Sequence, residues 1–431
     1  MYFMYVHFDI HLGGNPADRN ANLAYTLVNI LYYGIYAFIF LFLSPYMLDN
    51  GFNNSEIGMM MAAGFIVSVF LQQIIANFAD SAKKVTVSEI LAAGFVLIIA
   101  INVVLLMLSG RSMLLCVLYC AQIITIMSVQ PCLNAMNFQL QNYRYHMNYG
   151  IARSMGSLSY AVVSAVIGQI IGGFGNSLLQ YGVILLGICL ILLLSAMDLK
   201  LKRRAKRLAS EAAEEGGSAA NASGAEPVKK VTYLQFIRSY RTFMIFVAGC
   251  TLLFYSYATL NNYLYQVMQP LGATSADYGN VQGFKAAIEL FPMILSLTLV
   301  MKFGINKLLV LSSFCFFIKS LLTLLAGSIT QIWIATSFQM ISYGLFFPVA
   351  VYYVAELFDK HDGVKGQSLI TMAYAIGCVI SSLAGGLILN SFGAKVLLTV
   401  STTASLIGAI VTILSLSIID RTIEKKNPMF G

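Results

Sequence analysis

"KLKRRAKRLASEAAEEGGSAANASGAEPVKK", residues 200–230, is the longest polar stretch in an otherwise strongly apolar chain. It begins with a basic run and continues with Ala, Gly, Ser and Glu, so it has no apolar face that a folded domain would bury. Long apolar runs lie on both sides of it. The pattern therefore predicts a flexible linker, residues 199–240, between two membrane-embedded halves.

The composition excludes a water-soluble globular protein. Of the 431 residues, 58% are hydrophobic and 10% are charged, whereas soluble domains carry about 25% charged residues. Runs of about 18 or more mostly apolar residues predict membrane-spanning helices. The period-two alternation of membrane strands is absent. We therefore expect an all-α membrane protein.

Twelve such apolar runs predict a bundle of six spanning helices on each side of the linker. Their approximate limits are residues 22–48, 56–79, 85–108, 113–141, 150–172, 178–197, 241–268, 278–301, 307–327, 331–355, 366–389 and 396–419. The domains expected are an N-terminal cytoplasmic or interfacial tail (1–21), an N-terminal bundle (22–198), the linker (199–240), a C-terminal bundle (241–420) and a C-terminal tail (421–431).

The placement of Lys and Arg predicts the orientation. With the N-terminus in the cytoplasm, twenty of these residues flank the spans on the inside, and only Arg111 and Lys395 lie outside. This asymmetry follows the positive-inside rule and predicts that both termini are cytoplasmic. The net charge of +8 therefore reflects how the chain is oriented among membrane lipids. It does not indicate nucleic-acid binding, and no nucleic-acid partner is expected. The opening residues lack the basic start and apolar core of a cleaved signal.

The two halves carry a weak repeat. "GFNNSEIG" (51–58) precedes the second span and "GATSADYG" (272–279) precedes the eighth, each with a glycine, polar cap candidates and an acid. Both are expected to begin a helix at the outer surface. Parallel six-helix repeats joined by a long loop are typical of the major facilitator architecture, and the whole chain resembles that superfamily.

Three short motifs resemble the lactose-permease-like group of oligosaccharide and nucleoside proton symporters: "YGIARSMGSLSYA" (149–161), "ELFPMI" (289–294) and "CFFIKSLL" (315–322). The resemblance implies a twelve-helix transporter in which Arg153 helps to hold the substrate. The chain departs from the group where Asn134 replaces a sugar-binding acid and where spans seven and ten lack acids. Lactose is therefore not implied, and proton coupling cannot use the same set of residues.

Four ionisable residues inside predicted spans are candidates for a role in function: Arg153, Lys285, Glu289 and Lys319. Each costs about 2.5–3.5 kcal/mol near the bilayer centre on insertion scales, so partners or a wet cavity are expected. Glu289, with Lys319 and Lys285 as compensating cations, is a candidate proton-coupling switch that is ionised against one lysine and protonated when that pairing breaks. The alternative is a permanent ion pair that locks helices eight and nine together.

Arg153 and several neutral side chains are candidate substrate contacts. The planar fork of Arg153 suits hydroxyl pairs, carboxylates or phosphates, although an arginine near a span end also snorkels to headgroups. The amides of Asn134, Asn137, Asn261 and Asn262 donate and accept hydrogen bonds, and the ring of Tyr33 stacks on sugar or base rings. Alternatively, such groups join helices to one another.

The function predicted is secondary active transport of a small polar solute (a sugar, glycoside or nucleoside) by alternating access, coupled to protons through Glu289. No GxxxxGK[ST] motif for ATP occurs, and no catalytic constellation, metal site or cofactor site is expected. We expect a monomer in the cell membrane. Alternatives are a pump that exports amphipathic drugs and a non-transporting receptor or scaffold that reuses the fold.

Overall fold

A computed structural model describes residues 16–81, 86–214, 240–358 and 360–426, and within these ranges the chain is helical, with no strands. The fold class predicted, all-α, is confirmed. Much of the predicted tail 1–21 and linker 199–240, and the end of the tail 421–431, lie outside the described residues.

The described part of the N-terminal half contains seven helices. They are α1 (Pro16–Phe40), α2 (Leu43–Asp49), α3 (Asn54–Ser81), α4 (Val87–Leu105), α5 (Met113–Asn142), α6 (Tyr149–Phe174) and α7 (Ser177–Glu214). The first predicted span is divided between α1 and α2. The sixth continues as helix to Glu214, well beyond its predicted end at 197, because the basic run that follows consists of good helix formers.

Residues 240–358 and 360–426 of the C-terminal half form seven further α-helices. They are α8 (Arg241–Asn262), α9 (Leu264–Met268), α10 (Ser275–Phe303), α11 (Ile305–Leu325), α12 (Ile329–Ser337), α13 (Tyr343–Leu357) and α14 (Lys360–Lys426), with a short 3₁₀ turn at Gln269–Leu271. Helix α14 covers the last two predicted spans. It is interrupted at Gly393, whose φ of 81° requires a residue without Cβ.

Ten helical stretches in the described chain are long and apolar enough to cross a membrane. The predicted tenth span, 331–355, does not form one helix, because it is broken between α12 and α13. The predicted spans 366–389 and 396–419 lie together in one stretch, Lys365–Ile419, on either side of Gly393. The count of twelve crossings therefore stays a prediction.

The repeat read from the sequence has the same local geometry in both halves. Gly51 and Gly272 have φ values of 86° and 78°, and each precedes a reciprocal capping pair by two residues. Asn53 and Glu56 exchange backbone and side-chain hydrogen bonds of 2.9 Å, and Thr274 and Asp277 form the same arrangement before α10. This pairing satisfies amides that the first turn leaves unbonded.

The apolar cores show how the two halves meet. One cluster draws residues from both halves, including Leu41 to Ile57 and Leu260 to Val281; we call this the sealed end. At the opposite end, called here the split end, the buried cores are separate, one built around Phe246 and Val354 and the other around Tyr25 and Leu194. A cleft between the halves therefore opens toward the split end.

Large apolar side chains cover the outside of the helices. Phe70, Ile74, Leu185 and Leu192 are each more than 60% exposed. Water-soluble monomers rarely carry so much contiguous exposed apolar surface, whereas acyl chains solvate it. The outer surface is thus that of a membrane-embedded protein.

Candidate functional site

The sealed end is held by two close helix crossings. A Cβ on Gly168 of α6 would lie 2.9 Å from the Cα of Gly279 on α10, and a Cβ on Gly58 of α3 would lie 3.1 Å from the Cα of Gly386 on α14. Small residues let backbones approach this closely in membrane proteins. Both crossings join the two halves, so they determine where the cleft ends.

Hydrogen bonds across the halves reinforce the same end. The Tyr278 hydroxyl donates to the Leu41 carbonyl at 3.0 Å, and Gln266 donates to Asn54 at 3.1 Å. Gln169 donates to Asn280 at 3.3 Å beside the α6–α10 crossing. These bonds must break if the halves separate here.

Arg153 and Glu289 lie at similar depth below the α6–α10 crossing. The backbones touch again at Ala161 and Gly283, where a Cβ on Gly283 would lie 2.6 Å from the Ala161 carbonyl. Glu289 follows Gly283 by six residues and Arg153 precedes Ala161 by eight, which places them about 9 and 12 Å toward the split end at 1.5 Å per residue. The charge of Arg153 acts on Glu289 across the cleft.

Glu289 makes no direct ion pair with either lysine in the described chain. Instead, the amide of Gln339 donates to the Glu289 carboxylate at 2.5 Å and accepts a hydrogen bond from the Lys319 ammonium. The expectation that Glu289 pairs directly with Lys319 or Lys285 is therefore corrected. An amide has both a donor and an acceptor, so it joins an anion to a cation that do not touch.

Gln339 reaches this position because the tenth predicted span is broken. It lies in the segment between α12 and α13 and is fully buried. Irregular backbone at membrane depth is tolerated where it lines protein or a cavity. Sequence analysis missed Gln339, although an amide in the apolar stretch "SFQMISYG" (337–344) is the same signal that identified the asparagines.

Lys285 turns away from Glu289 although both are on α10. Its ammonium donates to Asn261 of α8 at 2.7 Å, and the lysine is 7% exposed. The ring of Tyr257, one turn earlier on α8, lies 5.8 Å from the Lys319 nitrogen. Asn261 is thus a hydrogen-bond partner of Lys285, and its role in substrate binding stays a prediction.

Asn262, predicted to join Asn261 in the cavity, has different neighbours in this structure, and its role in substrate binding stays a prediction. The side-chain amide of Asn262 donates to Ser382 of α14 at 3.1 Å, and its backbone carbonyl accepts from Ser44 of the other half at 3.2 Å. Consecutive helical residues point in different directions around the axis, so the two amides face different neighbours. Asn262 belongs to the sealed end.

Arg153 is held by an aromatic ring and a hydroxyl. Its guanidinium carbon lies 4.2 Å from the centroid of the Tyr33 ring, and it donates to Ser157, one turn later on α6, at 2.9 Å. Gln130 of α5 donates to the Tyr33 hydroxyl at 3.4 Å. The structure therefore brings Arg153 and Tyr33 together on the N-terminal side of the cleft.

Asn134 and Asn137 share one face of α5, three residues apart. Asn134 accepts a hydrogen bond of 3.2 Å from Tyr149, which begins α6 one turn before Arg153. Asn137 is 3% exposed, and its side-chain oxygen has no hydrogen-bond partner in the described chain. Asn134 thus lies beside the arginine cluster, whereas Asn137 is packed inside the half.

Tyrosines line the centre of the cleft. Tyr257 stacks on Tyr343 of α13 with centroids 4.1 Å apart, and Tyr374 of α14 lies 6.2 Å from both. On the other side, the rings of Tyr36 and Tyr160 are 6.2 Å apart. Tyr343 and Tyr374 were not among the predicted site residues, because no charged residue lies beside either of them in the sequence. Within the described chain, no three His, Cys, Asp or Glu side chains are grouped to hold a metal ion.

The chain matches one protein-family model and is similar in fold to solved transporters. A model described as the MFS_1 like family matches residues 23–400, and no curated protein matches the chain. The crystal structure of the nucleoside transporter NupG is similar with a TM-score of 0.70 and 14% identity, over 94% of this chain and 99% of that chain. A bacterial homolog of the human lysosomal transporter Spinster, in an inward-facing and unoccupied conformation, gives a TM-score of 0.60 and 14% identity over 94% and 96%. At 14% sequence identity, these two matches show a similar fold and do not assign a substrate.

Proposed function

The chain belongs to the MFS_1-like family, as its resemblance to the major facilitator superfamily predicted, and we propose that it is a proton-coupled secondary transporter. The cargo is a small polar solute, either a sugar, a glycoside or a nucleoside, and the chain crosses the cell membrane twelve times as a monomer. Membrane transport is the function of the family; the substrate class and the coupling are our proposal.

The observation that carries the proposal is the Glu289–Gln339–Lys319 chain of hydrogen bonds. A carboxylate buried at membrane depth is expensive and marks ion pathways and proton relays by default. Glu289 lies eleven residues beyond Tyr278 of the sealed end, about 16 Å along the helix. It thus lies near the midplane, where a major facilitator holds its substrate.

The arrangement of the halves supports alternating access. With the orientation predicted from Lys and Arg, the sealed end faces the outside and the split end faces the cytoplasm, so the structure corresponds to an inward-facing state. An outward-facing state requires the halves to rock apart at the Gly168–Gly279 and Gly58–Gly386 crossings and to close at the split end. Tight packing favours two discrete arrangements over a continuum.

Coupling follows from the charge on Glu289. When the carboxylate is ionised, its bond from Gln339 is charge-assisted, and such bonds are about twice as strong as neutral ones. Protonation weakens this link and removes the penalty of moving a bare charge through a dry intermediate. The protonated form is then the one that crosses between the two states together with the solute.

The test uses purified protein in proteoliposomes. Counterflow of labelled sugars and nucleosides is expected, and accumulation against a gradient is expected only with an imposed proton gradient. Dissipation of that gradient by a protonophore should abolish accumulation and leave counterflow intact. If no labelled solute exchanges, the transport proposal is contradicted; if accumulation survives the protonophore, proton coupling is contradicted.

A further inference from the structure

The charges in the cleft do not balance. In their ordinary ionised forms, Arg153, Lys285 and Lys319 carry three positive charges and Glu289 carries one negative charge, which leaves a formal surplus of two. In the described chain none of the three cations forms an ion pair with a carboxylate. The two lysines are at most 7% exposed, so solvent does little to compensate their charges, whereas Arg153 is partly exposed.

The cations are instead held by neutral oxygen atoms. Lys285 donates to the amide oxygen of Asn261, and Arg153 donates to the Ser157 hydroxyl above the Tyr33 ring. Neutral acceptors orient a cation, but they do not neutralise it, and a buried charge without a counter-charge costs several kcal/mol, in order-of-magnitude terms. The site is therefore built to receive negative charge from elsewhere.

The surplus is distributed on both walls of the cleft. Arg153 lies on α6 of the N-terminal half, against the Tyr33 ring. Lys285 and Lys319 lie on α10 and α11 of the other half. Clefts of one sign with low-dielectric walls concentrate counter-ions. An anion between these walls contacts both halves at once.

Resting on the proposed function, we propose that the solute carries an oxyanion: it is a sugar or nucleoside derivative with a carboxylate or phosphate group. The guanidinium fork binds such groups in a bidentate manner, and the ammonium groups bind them as point charges. A dianionic phosphate monoester cancels the surplus of two, and a carboxylate cancels half of it. The stacked tyrosines then receive the ring of the same molecule.

The test compares matched ligands on the purified full-length protein. Glucose, glucuronate and glucose 6-phosphate share one ring and differ in charge, as do uridine and uridine 5′-monophosphate. Thermal-shift titration and counterflow should both show at least tenfold tighter binding of an anionic member than of its neutral parent. The glucuronate and phosphate arms identify which oxyanion is bound.

Four variants test whether the positive charge of the cleft binds the oxyanion. Asn261→Asp places a carboxylate of the same shape 2.7 Å from the Lys285 nitrogen, so it supplies an internal counter-ion. Oxyanion affinity should fall at least tenfold, and it should fall by a larger factor than the affinity for the neutral parent. Lys285→Gln should cause the same loss of oxyanion affinity, and Lys285→Arg, which keeps the charge, should retain that affinity. The control is Lys395→Gln, which removes a charge from an exposed residue of α14 and should leave oxyanion affinity unchanged.

The outcomes separate the two proposals. If neutral members bind and exchange as well as the anionic ones, or if Asn261→Asp leaves oxyanion affinity unchanged, the oxyanion inference is overturned and the transport proposal stands. If no member of either series binds or exchanges, the proposed function is overturned, and the inference with it.

Discussion

Glu289 and Lys319 are connected through the amide of Gln339 and do not touch each other. The amide faces its oxygen toward the ammonium and its nitrogen toward the carboxylate, an orientation that matches both charges. A direct ion pair would hold α10 and α11 together with one strong contact. The bridge instead lets either charge change its partner while the other keeps a hydrogen bond, which suits a switch better than a lock.

Replacing Gln339 should damage both stability and transport. Gln339→Leu preserves the approximate volume but leaves a partly buried carboxylate and a buried ammonium without their bridge, which costs about 3 kcal/mol. The thermal midpoint of the purified protein should fall by several degrees, in order-of-magnitude terms, and counterflow should slow more than tenfold. Gln331→Leu, an exposed glutamine of α12, is the matched control; an equal loss in both variants would contradict the role of the bridge.

Glu289→Gln should separate exchange from accumulation. The neutral amide keeps an oxygen to accept from Gln339 but cannot carry a proton, so counterflow should persist and uphill accumulation under a proton gradient should disappear. Glu56→Gln, at the surface pair with Arg111, serves as the control and should accumulate normally. If Glu289→Gln still concentrates solute, Glu289 is a structural residue that only holds the hydrogen bond with Gln339.

Arg153→Lys should weaken solute binding without unfolding the protein. The substitution retains the charge but removes the planar fork that stacks on Tyr33, at a cost of about 1–2 kcal/mol. We expect the Kd for the transported solute to rise by about tenfold at that cost. Arg111→Lys is the control outside the cleft, and an unchanged Kd in Arg153→Lys would argue against substrate contact.

A cross-link at the sealed end should stop transport reversibly. Gln169 and Asn280 are hydrogen-bonded at 3.3 Å beside the α6–α10 crossing, so Gln169→Cys with Asn280→Cys places two thiols close together. Oxidation should trap the inward-facing state and abolish counterflow, and a reductant should restore it. Each single-cysteine variant, treated identically, should remain active; persistent activity of the oxidised double variant would mean that this end does not open.

Bulk at the α6–α10 crossing should open the same end. A Cβ on Gly168 would lie 2.8 Å from the Ser275 carbonyl, whereas a Cβ on Gly172, one turn later, meets nothing within 4 Å. Gly168→Val therefore overpacks the contact by about 1–3 kcal/mol. Cross-linking of the cysteine pair at 169 and 280 should slow by about tenfold at such a cost, while Gly172→Val leaves its rate unchanged.

Part of this protein was predictable because local chemistry determines it. Long apolar runs must become helices in a membrane, since every backbone amide needs a partner there. The capping pairs Asn53–Glu56 and Thr274–Asp277 are local, because their members lie three residues apart in the sequence. The free-energy cost of a charge inside an apolar segment singled out Arg153, Lys285, Glu289 and Lys319.

The tertiary structure decided which of these groups meet. Lys285 turns to Asn261 instead of its own helical neighbour Glu289, and Asn262 faces the sealed end, because contacts between helices, not spacing along one helix, choose each partner. Gln339 bridges Glu289 and Lys319 because its predicted span is broken between α12 and α13, which places its amide between α10 and α11. Spacing predicts one face of one helix, whereas the position of a neighbouring helix depends on packing summed over the whole bundle.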